Sequence, residues 1–278
     1  MFDWLTIQNA TLASLIMSPL HAAFGLHIIR RGVIFIDLAV AQVAALGMAI
    51  ALARGVEPNT DQMYFVAVAS ALVGAFVVSL TRFKLGKVPH EAMIGVVFVV
   101  GSAASIIALQ YGAHGDVLQS LLDGQILFVS EAEVVRDAWI YGVMAVATVF
   151  LWKSFSWRTD SNEDKGLKAT LLDFVFYSMI GVIVASSVQV AGVLVVFTWL
   201  VMPAVIATTW TRTINRALFV AIPLAWIGSM LGLYVSMTAD DSLGGWSPGA
   251  TIVVVFGALV FINYIVRLFI KTPAENSA

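Results

Sequence analysis

Apolar residues in this chain come in blocks of roughly 20, each long enough to cross the hydrocarbon core of a bilayer as a helix, and the blocks recur from end to end. Reading them between charged or turn-rich breaks predicts nine helices, over 9–29, 33–53, 64–82, 91–111, 137–154, 171–189, 193–210, 217–236 and 250–269. The shortest break is Gln189-Val190-Ala191-Gly192, between the sixth and seventh spans. The pattern predicts an all-α, polytopic transmembrane helix bundle that uses residues 1–278 as one domain.

Composition agrees with that pattern. The chain is 60% hydrophobic and 12% charged, with a mean hydropathy of +0.94, whereas a soluble domain carries about a quarter charged residues. The opening MFDWLTIQNA lacks a basic stretch before its apolar run, so the first span is expected to be a retained helix. The absence of cysteine excludes disulfides and thiolate metal sites.

The charges set an orientation. Placing alternate connections on one side gathers 13 of the 15 Lys and Arg residues there, leaving only Arg54 and Arg136 opposite. That bias predicts an outside N-terminus and a cytoplasmic C-terminus. Trp4, Trp139, Trp152, Trp157, Trp210 and Trp246 fall near span ends, where an indole suits the headgroup layer, while Trp199 and Trp226 are expected to pack between helices. Two connections stand out. The external segment 112–136 is half apolar and predicts a short helix or re-entrant element, and the segment 154–173 is the longest cytoplasmic one.

Few polar groups lie within the spans. Asp37 sits about one turn into the second span, where an ionisable residue usually faces the bundle interior or an aqueous path. The alternatives are a pair with Arg30 or Arg31, or a helix N-terminal acid. Gln42, five residues on, points about 140° away on a regular helix, and Ala41 takes the position sharing Asp37's face. His21 and His27, six apart, diverge by about 120°, so they are either separate ligands or hydrogen-bonded packing residues. Glu91, beside His90 at the start of the fourth span, and Asp173, at the start of the sixth, both suit a helix N-terminus. No phosphate-binding G-x-x-x-x-G-K-[ST] loop and no nucleophile–base set is present, so the chain carries no catalytic site of its own. Nothing points to nucleic acid.

Five stretches, taken together, carry a resemblance. RRGVIFIDLAVAQVAALG (30–47) is similar to the segment that bacterial zinc- and manganese-type (ABC-3) importer permeases write as two arginines, an apolar step, an aspartate and a small-residue helix. HEAMIGVVF (90–98), LLDGQILFVSEAEV (121–134), VAGVLVVFTWLVMPAVIA (190–207) and SPGATIVVVFGALVF (247–261) resemble the family's later segments in the same order.

The resemblance implies a membrane permease subunit of an ATP-driven importer of divalent metal ions in the bacterial inner membrane. Its expected partners are cytoplasmic ATPase subunits that bind the ATP, a second permease copy, an external or periplasmic metal-binding protein, and lipid. No cofactor is held permanently, and the transported metal is the cargo: zinc first, with manganese, iron or a chelated metal open. Asp37 matches the family aspartate of the metal path, with Gln42, His27 and His21 as further candidate ligands. Residues 155–170, including Arg158, Glu163, Asp164, Lys165 and Gly166, resemble the segment that couples to the ATPase, and Glu91 and Pro203 fall in elements expected to shape or gate the bundle. One departure is plain: the family commonly has a histidine four residues after the aspartate, and this chain has Ala41. The second reading is a proton-coupled secondary transporter using an intramembrane carboxylate, and the third an accessory membrane protein without transport.

Overall fold

The computed structural model describes residues 4–57, 60–80, 88–110, 126–160, 167–238 and 246–269. Among these the chain is helical, with no strand: α1 (Trp4–Arg31), α2 (Ile36–Ala53), α3 (Asp61–Leu80), α4 (His90–Gln110), a 3₁₀ turn (Ile126–Phe128), α5 (Glu131–Asp160), α6 (Leu167–Ala191), α7 (Val193–Trp210), α8 (Ile214–Thr238) and α9 (Pro248–Phe269). All nine α-helices are long and apolar enough to cross a membrane, so each expected span is one helix.

Some helices overrun their apolar blocks, α5 by the most. α5 starts at Glu131, six residues before its apolar block, because Ser130 and Glu133 form a capping box. Glu133 Oε2 accepts from the Ser130 N–H at 2.8 Å and from its hydroxyl at 2.7 Å, and Ser130 Oγ accepts from the Glu133 N–H at 3.3 Å. Of the segment 112–136, residues 131–136 form the first turns of α5, 126–128 form the 3₁₀ turn, and 112–125 lie outside the described residues. At its far end α5 runs on through SFSWRTD to Asp160, and α6 begins at Leu167. Of the expected coupling segment 155–170, both flanks are thus ends of spanning helices, and 161–166 lie outside the described residues. Between α6 and α7 the break is the single residue Gly192, whose φ of 81° an L side chain rarely adopts.

Contacts sort the helix ends into two sets. At one end, Trp152 Nε1 donates to Asn215 at 2.8 Å, Lys168 lies over the Trp157 ring, and Arg30 reaches Asp160 and the Arg212 carbonyl. At the other, Asn9 donates to the Val129 carbonyl at 3.2 Å and Tyr64 bonds Ser186 at 2.8 Å. These are the pairings that nine alternating spans require.

Packing divides the bundle. α1 packs on α5, α7 and α8, whereas α2 packs on α3, α4 and α6; α6 also touches α5 and α7, and α9 covers α7 and α8. The chain crosses from one group to the other in the turn after Arg31. Close approach is bought with small residues, since lipid offers no hydrophobic drive for helix association. A Cβ on Gly25 would collide with the Leu200 carbonyl, and one on Gly232 would meet Ile252 Cα at 2.6 Å. Trp199 is buried, donating to Ser229 Oγ at 2.8 Å, but Trp226 lies on the bundle surface and donates to the Leu15 carbonyl. Phe150, Phe219 and Phe261 are exposed on the outside of the bundle, as side chains facing lipid should be.

Candidate functional site

The turn that precedes Asp37 is fixed by its own backbone. Gly32, at φ 65°, ends α1: its N–H bonds the Ile29 carbonyl at 3.2 Å, and the Val33 N–H bonds the Ile28 carbonyl at 3.3 Å. This is a Schellman motif, and the buried pair Ile28 and Val33 supplies its usual apolar contact. α2 then starts at Ile36, with Asp37 in its first turn.

Asp37 is 1% exposed. Its place in the first turn of α2 sets it beside backbone N–H groups that a helix leaves unsatisfied. Its Oδ1 has no hydrogen-bond partner among the described residues. The two arginines before it are engaged elsewhere: Arg30 with Asp160, and Arg31 with Thr159 and Asp173.

Asp37 is also recessed. Gln42, the seventh residue of α2, lies against Gly101, the twelfth of α4, where a Cβ would come 3.3 Å from that of Gln42. With both helices crossing in the same direction, α2 starts about five residues, roughly 7 Å, deeper than α4. Gln42 and Ala41 are buried along with Asp37; by helical spacing Ala41 shares Asp37's face and Gln42 does not.

The histidines stand apart from this pair. His21 Nδ1 bonds the Met17 carbonyl at 2.9 Å and its Nε2 bonds Ser187 at 3.1 Å, with Tyr141 and Trp199 packed on the ring. Both nitrogens are engaged. His27 Nδ1 bonds Thr159 at 2.9 Å, its ring stacks edge-on against Trp152 at 4.7 Å, and Nε2 is buried without a partner among the described residues. No group of three His, Asp or Glu residues able to hold a metal occurs among the described residues.

Of the coupling residues, Arg158 turns inward: it is 5% exposed, and its guanidinium bonds Asp173 Oδ2 at 3.2 Å. Glu163, Asp164, Lys165 and Gly166 lie outside the described residues. Glu91 is half-buried in the first turn of α4, and Pro203 is buried within α7.

Two polar groupings escaped the sequence reading. Asp173 bridges Arg31 and Arg158, joining α1, α5 and α6. Asp137 is 1% exposed and pairs with Arg136 at 3.2 Å, while Arg136 lies over the Tyr64 ring. The Ser-x-x-Glu capping signature at 130–133 could have found the second, since it puts Asp137 well inside α5.

Known proteins show the same architecture. The ABC 3 transport family matches residues 3–267. A "Probable iron transport system membrane protein" of Haemophilus influenzae is 26% identical over 88% of this chain and 92% of its own length. The "Manganese transport system membrane protein MntC" of Listeria innocua is 24% identical over 93% of this chain and 90% of its own. Among solved structures, a chain of "PsaBC from Streptococcus pneumoniae in complex with Fab" superposes with a TM-score of 0.78 at 16% identity, covering 99% of this chain and 95% of that one. At that identity the likeness is one of fold. The chain belongs to the ABC 3 transport family, as a multi-pass protein of the bacterial inner membrane.

Proposed function

We propose that this chain is the permease subunit of an ATP-driven importer of a divalent transition-metal ion, with Asp37 on the ion's path. The observation that carries the reading is a buried carboxylate with an unpartnered oxygen, recessed into the bundle where the two helix groups meet. An acid in that position is costly unless it faces a path or a cation. A conducting site must also release what it binds, which one carboxylate suits better than a closed cage.

The cargo is manganese or iron ahead of zinc. The α2 donors are oxygens, which suit manganese, whereas imidazole is a preferred zinc ligand, and Ala41 stands where a histidine would have been. The manganese and iron transport named for two relatives supports the same order. The remaining parts follow the family pattern: a second permease copy, cytoplasmic ATPases meeting the end that carries Arg30, Arg158 and Arg212, and an external binding protein delivering the metal. The N-terminus is outside.

Proteoliposomes holding the assembled permease and its ATPase subunits, supplied with the binding protein, test this. Manganese uptake that requires ATP on the ATPase side, with no proton gradient imposed, is the expected result. Uptake that needs no ATPase and collapses with the proton gradient would establish the proton-coupled carrier instead.

A further inference from the structure

We propose that Asp173, Arg31 and Thr159 form a buried relay that carries movement of the α5–α6 connection to the turn bearing Asp37, making them positioning residues for transport. The inference rests on the importer reading above, which puts that connection at the ATPase.

The relay is defined by its contacts. One carboxylate holds two guanidinium groups from different helices: Asp173 Oδ1 bonds Arg31 Nη1 at 3.2 Å, and Oδ2 bonds Arg158 Nε at 3.3 Å and Nη2 at 3.2 Å. Arg31 then reaches back to α5, donating from Nε to Thr159 Oγ1 at 3.0 Å and from Nη2 to the Phe155 carbonyl at 3.5 Å. Its guanidinium lies 3.9 Å from the centre of the Phe176 ring. Thr159 also bonds His27, one turn earlier on α1. The charged side chains are at most 8% exposed.

These residues flank the coupling connection on both sides. Arg158 and Thr159 lie just before residues 161–166 and Asp173 just after them, while Arg31 is the last residue of α1. Separating buried, hydrogen-bonded charges leaves each uncompensated, so such a cluster resists coming apart. A displacement of the α5 and α6 ends therefore takes the end of α1 with it. Beyond Arg31 the chain is a four-residue turn, residues 32–35, into Ile36 and Asp37. α1 and α2 pack mainly on different neighbours, and that turn is the covalent link from α1 to Asp37. A buried ion pair is a poor source of stability but a good device for fixing register, and here it registers three helix ends against one another.

The test uses the complex with its ATPases and binding protein in liposomes, with manganese as the probe, and reads ions moved per ATP hydrolysed. Asp173→Asn keeps the side chain's shape and removes its charge. Manganese moved per ATP should fall about tenfold, within the span of measured coupling energies, while hydrolysis stays near that of the unmodified complex. Asp173→Glu should recover part of the loss. If Asp173→Asn yields no assembled complex, Thr159→Val decides by the same ratio, since it removes the hydroxyl that joins His27 to Arg31. Uptake and hydrolysis that fall in proportion, or an unchanged ratio, overturns the relay alone. An unmodified complex without ATP-driven uptake overturns the importer reading, and the relay with it.

Discussion

Asp173, near the start of α6, bonds Arg31, the final residue of α1, at 3.2 Å across 142 positions of sequence. Both side chains are buried, and the same carboxylate holds Arg158 from α5. The pair thus ties three helix ends beside the turn that leads to Asp37. Removing the acid strands two buried guanidinium groups, so Asp173→Ala should cost about 3–5 kcal/mol. Asp173→Asn, which keeps a carbonyl oxygen for one of them, should cost less. Thermal unfolding in detergent reads the difference, and equal midpoints for both variants would contradict it.

The α1–α7 crossing depends on the missing side chain of Gly25. Gly25→Ala drives a Cβ into the Leu200 carbonyl, which is backbone and cannot rotate away. A loss of about 1–3 kcal/mol is expected from such overpacking. The effect should appear as a lower unfolding temperature, whereas Gly95→Ala, where the added Cβ meets nothing within 4 Å, should leave it close to the unmodified value.

Ser130→Ala removes one half of the capping box that starts α5. The expected cost is about 1 kcal/mol, read by amide hydrogen exchange as faster exchange confined to the first turn of that helix. Unchanged exchange at Glu133 and its neighbours would mean that the box does not hold the helix start.

Metal preference should follow residue 41. Ala41→His places an imidazole one turn from Asp37 on the same face, which moves the donor set toward zinc. In competition uptake, the zinc-to-manganese preference should rise. Ala41 is buried, so manganese transport itself is expected to slow as the larger ring is accommodated. A preference identical to that of the unmodified protein would take residue 41 off the ion's path.

How far the sequence disclosed all this depended on the range of the interaction. The spans were legible because a bilayer demands apolar length, and that signal is local; even the one-residue break at Gly192 showed in Gln189-Val190-Ala191-Gly192. The helix ends were less legible, because hydropathy marks where lipid lies, not where hydrogen bonding stops. α5 reaches from 131 to 160 on the strength of its caps and a polar last turn. Asp37 stood out as a lone acid in an apolar run. The partners of Asp173 did not, because each of its two arginines has an ordinary explanation as a topology marker. Only folding brings Arg31 and Arg158 to one carboxylate. The separation of His21 and His27 from α2 was equally tertiary, since helical spacing fixes their angle to each other and not to another helix.

Asp37→Asn decides whether Asp37 lies on the path of an ATP-driven metal importer. The measurement is ATP-dependent uptake of radioactive manganese into proteoliposomes, beside the amount of assembled complex. Assembly should be normal and uptake reduced to background, because the isosteric amide keeps the packing and removes the charge that compensates the ion. Full uptake by the Asp37→Asn complex would contradict it.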